Sequence, residues 1–219
     1  MAKTAEICPT ILATTPDQYK AFIMAYQSFA KRIQVDIVDG QFAPTETIPE
    51  SNVWWPEGWK VDVHMMVARP SEHMDVLLKL KPNMVIFHAE SGEDTTAHFE
   101  KLKEAGIRCG LALVKTSYPG DFKDEIAAAD HVLIFAGDLG KQGGVADMLQ
   151  IEKVDLVKKL NSSAEIGWDG GANMKNIRAL AHAGVDVINV GAALATADDP
   201  AEAYAEMVKE TDKRGVVLG

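Results

Sequence analysis

Three short runs of this 219-residue chain set ionisable side chains among apolar, β-branched neighbours. They are Gln34-Val35-Asp36-Ile37-Val38-Asp39-Gly40, Asp62-Val63-His64-Met65-Met66 and Trp168-Asp169-Gly170-Gly171. Side chains alternate along an extended strand, so Gln34, Asp36 and Val38 share one face, as do Asp62, His64 and Met66 on theirs. If those faces surround a common axis, Asp36, His64 and Asp169 converge on one small volume. Burial there is costly unless the groups are paired, protonated or bound to a cation. Taken singly, each could instead be a satisfied core hydrogen-bonder. Asp39 reads as the start of the loop after its strand, and Asp62 as a deeper structural residue. His88 and Glu90 read as a hydrogen-bonded wall of the same mouth.

A second set suits an anion. Gly137-Asp138-Leu139-Gly140-Lys141-Gln142-Gly143-Gly144, Gly170-Gly171 and Gly191-Ala192-Ala193 each follow a strand-like run. Glycine lets backbone N–H groups approach an anion closely, and a helix N-terminus adds attraction. Turns need glycine anyway, but clusters after three consecutive strands point to a phosphate grip.

The elements that must position these residues recur regularly. Strand-like runs occupy 6–12, 32–38, 60–66, 84–90, 108–114, 131–137, 164–170 and 185–191, with helical spacing over 15–29, 71–80, 95–105, 151–160 and 174–183. Thr15-Pro16, Arg69-Pro70-Ser71 and Asp199-Pro200 look like helix starts, and Ala105-Gly106 and Ala183-Gly184 like helix ends. Eight strands in this length predict one α/β domain over 1–219, a closed (β/α)₈ TIM barrel whose chemistry lies at the C-terminal strand ends. No GxGxxG follows the first strand, which disfavours an open dinucleotide-binding sheet. The irregular stretch 41–59 carries Trp54 and Trp55, and Trp59 closes it; all three are expected to pack against the barrel base.

Composition narrows the function classes. A hydrophobic fraction of 47% with 25% charged residues can bury a full core. The formal net charge of −10 argues against a nucleic-acid or anionic-membrane partner, whereas a few backbone N–H groups can still hold one phosphate. Cys8 and Cys109 lie far apart and outside any CxxC pattern, so they read as buried thiols. The N-terminus, Met1 to Glu6, lacks the basic-then-apolar order of a secretion signal, and no apolar run approaches a membrane span. A cytoplasmic protein is expected.

In their order along the chain, these pieces resemble the ribulose-phosphate 3-epimerase family. The matching segments are Pro9-Thr10-Ile11-Leu12, Val35 to Phe42 with Pro44, Asp62 to Met66, His88-Ala89-Glu90, the loop ending Gly143-Gly144, Asp169-Gly170-Gly171 and Gly191-Ala192. The resemblance implies inversion of a ketopentose phosphate, D-ribulose 5-phosphate to D-xylulose 5-phosphate, at the carbon beside its carbonyl. One carboxyl removes a proton to give an enediolate and another returns a proton to the opposite face. Asp36 and Asp169 match those carboxyls. The family's two His and two Asp hold a divalent metal, here Zn, Fe or Mn. Asp36, Asp169 and His64 match three of the ligands, and Gln34 stands where the fourth, a His, is expected. An amide oxygen is a poorer, uncharged ligand for such a metal. Met66 matches an apolar shield over the intermediate. Thr10, His64, Gly140, Lys141, Gln142, Gly143, Gly144, Gly170, Gly171, Gly191 and Ala192 match substrate-binding positions, with Lys141 able to add a charge toward phosphate. Thr10 replaces Ser, Val38 and Phe135 replace methionines, Thr45 replaces Asn, and Ala192 replaces Ser.

Other functions on the same barrel stay open at this level. A decarboxylase of the superfamily carries an Asp-x-Lys-x-x-Asp run on its second strand, which Asp36-Ile37-Val38-Asp39 lacks. A Schiff-base aldolase has only Lys115 near a strand end, and that lysine reads better as a solvated loop residue. A catalytically weakened phosphate-ester sensor would explain Gln34 and Val38 but not the buried carboxyls. Trp54, Trp55 and Met-rich patches are compatible with a homo-oligomer.

Overall fold

The structure, a computed structural model, describes residues 4–212, so Met1 to Lys3 of the segment read for a targeting signal lie outside it. Eight strands, each parallel to its neighbours, close in sequence order: β1 (Glu6–Ile11), β2 (Arg32–Val38), β3 (Lys60–Met66), β4 (Met84–His88), β5 (Arg108–Leu113), β6 (His131–Phe135), β7 (Glu165–Asp169) and β8 (Val187–Val190). The helices are α1 (Pro16–Tyr26), α2 (Met74–Leu80), α3 (Thr95–Glu104), α4 (Lys123–Ala128), α5 (Glu152–Leu160), α6 (Ile177–His182), α7 (Ala192–Ala195) and α8 (Pro200–Thr211). The expected (β/α)₈ barrel is therefore the fold.

Local chemistry sets the helix starts. Thr15 accepts the N–H of Gln18 ahead of Pro16, Asp94 accepts that of Thr96, and Asp199 accepts those of Ala201 and Glu202 ahead of Pro200. Arg69-Pro70 opens a 3₁₀ turn over Pro70–His73 rather than the helix itself. Between β2 and β3 the chain has no α-helix, only a 3₁₀ turn at Glu50–Asn52. Trp59 is buried in the core there and Trp55 packs against it, whereas Trp54 stands 47% exposed, edge-on to Tyr19. Trp54 thus departs from the expected packing, because its carbonyl is held out toward α1 by the Tyr19 hydroxyl, 2.7 Å away.

Strand alternation sorts the core. Outward-facing Ile33, Val35, Val61, Val63, Val85 and Phe87 join the buried shell beneath the helices, each worth ~1.5–3 kcal/mol when fully buried. Inside the barrel, Met84, Ile86, Ala112 and Leu133 form a separate apolar cluster. Below it lies an ionic network. Arg32 Nε donates to Asp62 at 2.6 Å, and its terminal nitrogens reach Glu6 and Glu165, both at 2.9 Å. His131 Nδ1 sits 3.0 Å from Glu165. Asp62 also accepts from Asn83, so its structural reading holds. Gly167 makes room for this layer, since a Cβ there would come within 2.3 Å of His131 Nε2.

Candidate active site

At the upper rim, β2, β3 and β7 bring Asp36, His64 and Asp169 together, with ligand atoms all within 4.8 Å of one another. The shared β2–β3 register, Asp36 beside His64, places the first two. Beneath them Gln34 is fully buried, and its Nε2 lies 2.9 Å from Asp36 Oδ1, 2.5 Å from Asp169 Oδ2 and 3.4 Å from His64 Nδ1. Gln34 Oε1 is buried without a partner. His64 Nδ1 approaches Asp36 Oδ1 at 3.2 Å, and its Nε2 meets His88 Nε2 at 2.9 Å. His88 Nδ1 continues to Glu90 Oε2 at 3.2 Å, and Glu90 in turn accepts from the Val114 N–H and Ser117 hydroxyl. The wall role read for His88 and Glu90 is what this chain of contacts performs.

Electrostatics follow from this packing. Burial, and then the neighbouring Asp36 charge, push the Asp169 carboxyl up to about 7, against the pull of His64 and Gln34. Burial also drives His88 down to about 4, despite its contact with Glu90. For Glu90, burial works upward but the bonds from His88 and Ser117 prevail and hold it low. With His88 held neutral and its Nδ1–H donated to Glu90, its Nε2 is left as an acceptor facing His64 Nε2.

These groups border a cavity of about 250 Å³. Thr10, Asp36, Met66, Phe135 and Asp169 line its inner part, and Thr10 Oγ1 is buried there without a partner. Gly140, Lys141, Gln142, Gly143 and Gly144 line the rest of it together with Gly170, Gly171, Gly191 and Ala192, Gln142 lying close beside Gly191 and Gly143 beside Ala192. The expected pocket residues thus come together, except that His64 and Gln34 lie behind Asp36 and do not reach the cavity surface. Gln34 also differs from its expected part as a ligand: carboxyl oxygens of Asp36 and Asp169 flank its amide nitrogen, so it presents N–H, not oxygen. Lys115 is an exposed loop residue paired with Asp138 at 2.9 Å. Asp39 accepts the N–H groups of Gln41, Phe42 and Ala68, fastening the loop after β2.

The glycines at the rim are demanded by geometry. Gly170 has φ +107° and a Cβ there would lie 2.1 Å from Gly137 N; at Gly171, φ is +68° and the clash would be with Ala146 N at 2.2 Å. The loops after β6 and β7 therefore touch backbone to backbone. Asn173 and Asn176 side chains donate to Gly171 O at 2.9 and 3.0 Å and hold the turn. Asn189, buried on β8 and lining the pocket, escaped the sequence reading. Its signal was available in the alternation that also turns Gly191 inward.

As a metal site, Asp36, His64 and Asp169 offer a fitting set of three acceptors. The four residues together do not fit one in this arrangement, since the Gln34 amide nitrogen occupies the space among the acceptors and its oxygen points away, orphaned.

Comparison with known proteins agrees with this geometry. The family model described as the ribulose-phosphate 3 epimerase family matches residues 6–195. A ribulose-phosphate 3-epimerase of Helicobacter pylori is 31% identical over 171 residues, covering 75% of this chain and 79% of that protein. One of Schizosaccharomyces pombe is 29% identical over 177 residues, covering 78% and 77%. Among solved structures, KGPDC from Streptococcus mutans superposes with a TM-score of 0.72 at 10% identity, covering 95% of this chain and 98% of that one. The 3-hexulose-6-phosphate synthase of Salmonella typhimurium gives 0.68 at 16% identity, covering 94% and 98%. Those two likenesses concern the barrel alone. The sequence matches carry the assignment: this chain belongs to the ribulose-phosphate 3 epimerase family and is an isomerase acting on carbohydrates.

Proposed function

We propose that the protein interconverts D-ribulose 5-phosphate and D-xylulose 5-phosphate by proton transfer at C3. The observation that carries this reading is the pair of buried carboxyls, Asp36 and Asp169, lining one pocket within reach of a common donor. With Asp169 pushed up to about 7, it holds a proton near neutrality, which leaves Asp36 to receive one. Asp36 takes the C3 proton, the electron pair moves into the C2 carbonyl to give an enediolate, and Asp169 delivers its proton to the opposite face. The return direction exchanges the roles, so no proton is gained or lost overall. The free Thr10 hydroxyl supplies a hydrogen-bond donor in the pocket wall, and Met66 and Phe135 keep water from the intermediate.

The phosphate would sit between Gly170-Gly171 and the first turn of α7, where the N–H groups of Ala192 and Ala193 begin the helix, with Lys141 at the mouth adding positive charge. A divalent metal, when bound in such a centre, polarises the carbonyl; no step here depends on it. On this reading the enzyme works in the cytoplasm, a reducing compartment that suits its free thiols.

The test is deuterium incorporation at C3 and epimer formation from D-ribulose 5-phosphate in D₂O, followed by NMR. Asp36→Asn and Asp169→Asn are each expected to slow both by ~10²–10⁴-fold, the range for losing a general acid or base. Wild type that neither exchanges nor epimerises, with or without added Zn²⁺, Fe²⁺ or Mn²⁺, would sink the assignment for this substrate.

A further inference from the structure

Two carboxyl groups and an imidazole nitrogen converge at the centre of the site, and two carboxyls this close are held together most readily by a donor or a cation between them. We propose that the side-chain amide of Gln34 takes the place of a divalent cation here, one nitrogen bridging Asp36 and Asp169 so that the pair is held and its charge offset without a metal. What the pair accomplishes rests on the epimerase reading; what fills the space between its members does not.

The distances support this. Gln34 Nε2 lies 2.9 Å from Asp36 Oδ1 and 2.5 Å from Asp169 Oδ2, and it carries two hydrogens, one for each carboxyl. His64 Nδ1 is third, at 3.4 Å. A cation would need this same volume, because the three acceptors that could hold it lie within 4.8 Å of one another. To admit one, the amide would have to give up both hydrogen bonds and turn over to offer Oε1, a neutral and weaker ligand than an imidazole nitrogen. In the present arrangement Oε1 has no partner, so the side chain leaves an acceptor unsatisfied while aiming its donors inward. Gln34 is fully buried two residues before Asp36 on the same strand, and it does not line the cavity, so it acts through the carboxyls as a positioning residue. A neutral amide does not polarise the substrate carbonyl as a metal does. That work falls to neutral donors that line the pocket, Thr10 with its unpartnered hydroxyl and Asn189 on the adjoining strand.

Wild type and Gln34→His, prepared side by side in medium containing Zn²⁺, Fe²⁺ and Mn²⁺, would be assayed for bound metal by elemental mass spectrometry and for melting temperature with Zn²⁺ or EDTA. Wild type should carry metal far below stoichiometry, melt at a temperature that neither agent moves, and exchange deuterium at C3 unimpaired by EDTA. Gln34→His should take up stoichiometric metal and gain a Zn²⁺-dependent rise in melting temperature that EDTA reverses. Stoichiometric metal in wild type overturns the proposal whatever the activity, and so does a folded Gln34→His that stays metal-free. If Gln34→His does not fold, the wild-type metal content and melting decide. Absence of exchange in wild type under every condition counts against the epimerase reading alone, since metal is measured without turnover. Gln34→Leu separates positioning from packing: a fall in kcat of about 100-fold at unchanged KM is expected from misplaced carboxyls. A loss confined to KM, or none, overturns the positioning role.

Discussion

Thr10 illustrates how a single side chain can serve the site at the expense of the fold. Its hydroxyl is buried and unpartnered, an arrangement that costs ~1–3 kcal/mol unless a ligand supplies the bond. Thr10→Val, of the same shape, should therefore raise stability by about 1 kcal/mol in urea titration while lowering kcat/KM roughly tenfold. A variant that is destabilised with full activity would show the hydroxyl to be structural. Asp36, His64 and Asp169 were legible in the sequence because an ionisable group inside an apolar strand has few reasons to be there. Asn189 was only faintly legible, through the alternation it shares with Gly191, because a single amide in a strand as short as Val187–Val190 does not stand out until the barrel closes. Nor did the sequence disclose the direction of the Gln34 amide, which depends on acceptors contributed by β3 and β7.

At the scale of elements, strands were legible where apolar alternation is unbroken. β2 and β3 coincide with the expected 32–38 and 60–66, while β6 stops at Phe135, short of 137, where Ala136 makes a last bond to Asp169 O before the chain turns into the rim at Gly137. α4 went unread: six residues with Ile126 alone buried cannot display helical periodicity. The ionic network under the barrel was equally hidden, as Glu6, Arg32, His131 and Glu165 come from four different strands. Burial alone would raise Glu165, but the hydrogen bonds from His131 and Arg32 override it and hold the carboxyl well below its usual range. A depressed carboxyl contributes stability that is fully present above the unfolded value near 4.5 and is lost as pH falls below it. Glu165→Gln should accordingly cost ~3 kcal/mol near neutrality, the cost of breaking one side of a buried ion pair, and flatten the acid limb of the stability profile below about pH 4.5. Denaturant titrations across pH would reveal the opposite if the acid limb kept its slope.

For the whole molecule, closure is the decisive property. β1 pairs with β8, so the first and last strands of the barrel complete it and no edge is left among them. Cys8 lies on that seam and Cys109 across the barrel on β5; both are buried, and burial raises both thiols, Cys109 to about 12. Neither should react with a thiol reagent in the native state. During unfolding in denaturant the two should be labelled at one common rate, as mass spectrometry of the peptides would report. Earlier labelling of Cys8 would mean that the seam opens before the rest.

The interior also has two storeys. Arg32 and Glu165 at the bottom each stand four residues below a carboxyl at the top, Asp36 and Asp169, or ~13 Å along a strand. Met84, Ile86, Ala112 and Leu133 fill the space between. The lower storey can then be rebuilt for heat or acid tolerance without retooling the upper, and a new chemistry can be tried above on a foundation left untouched.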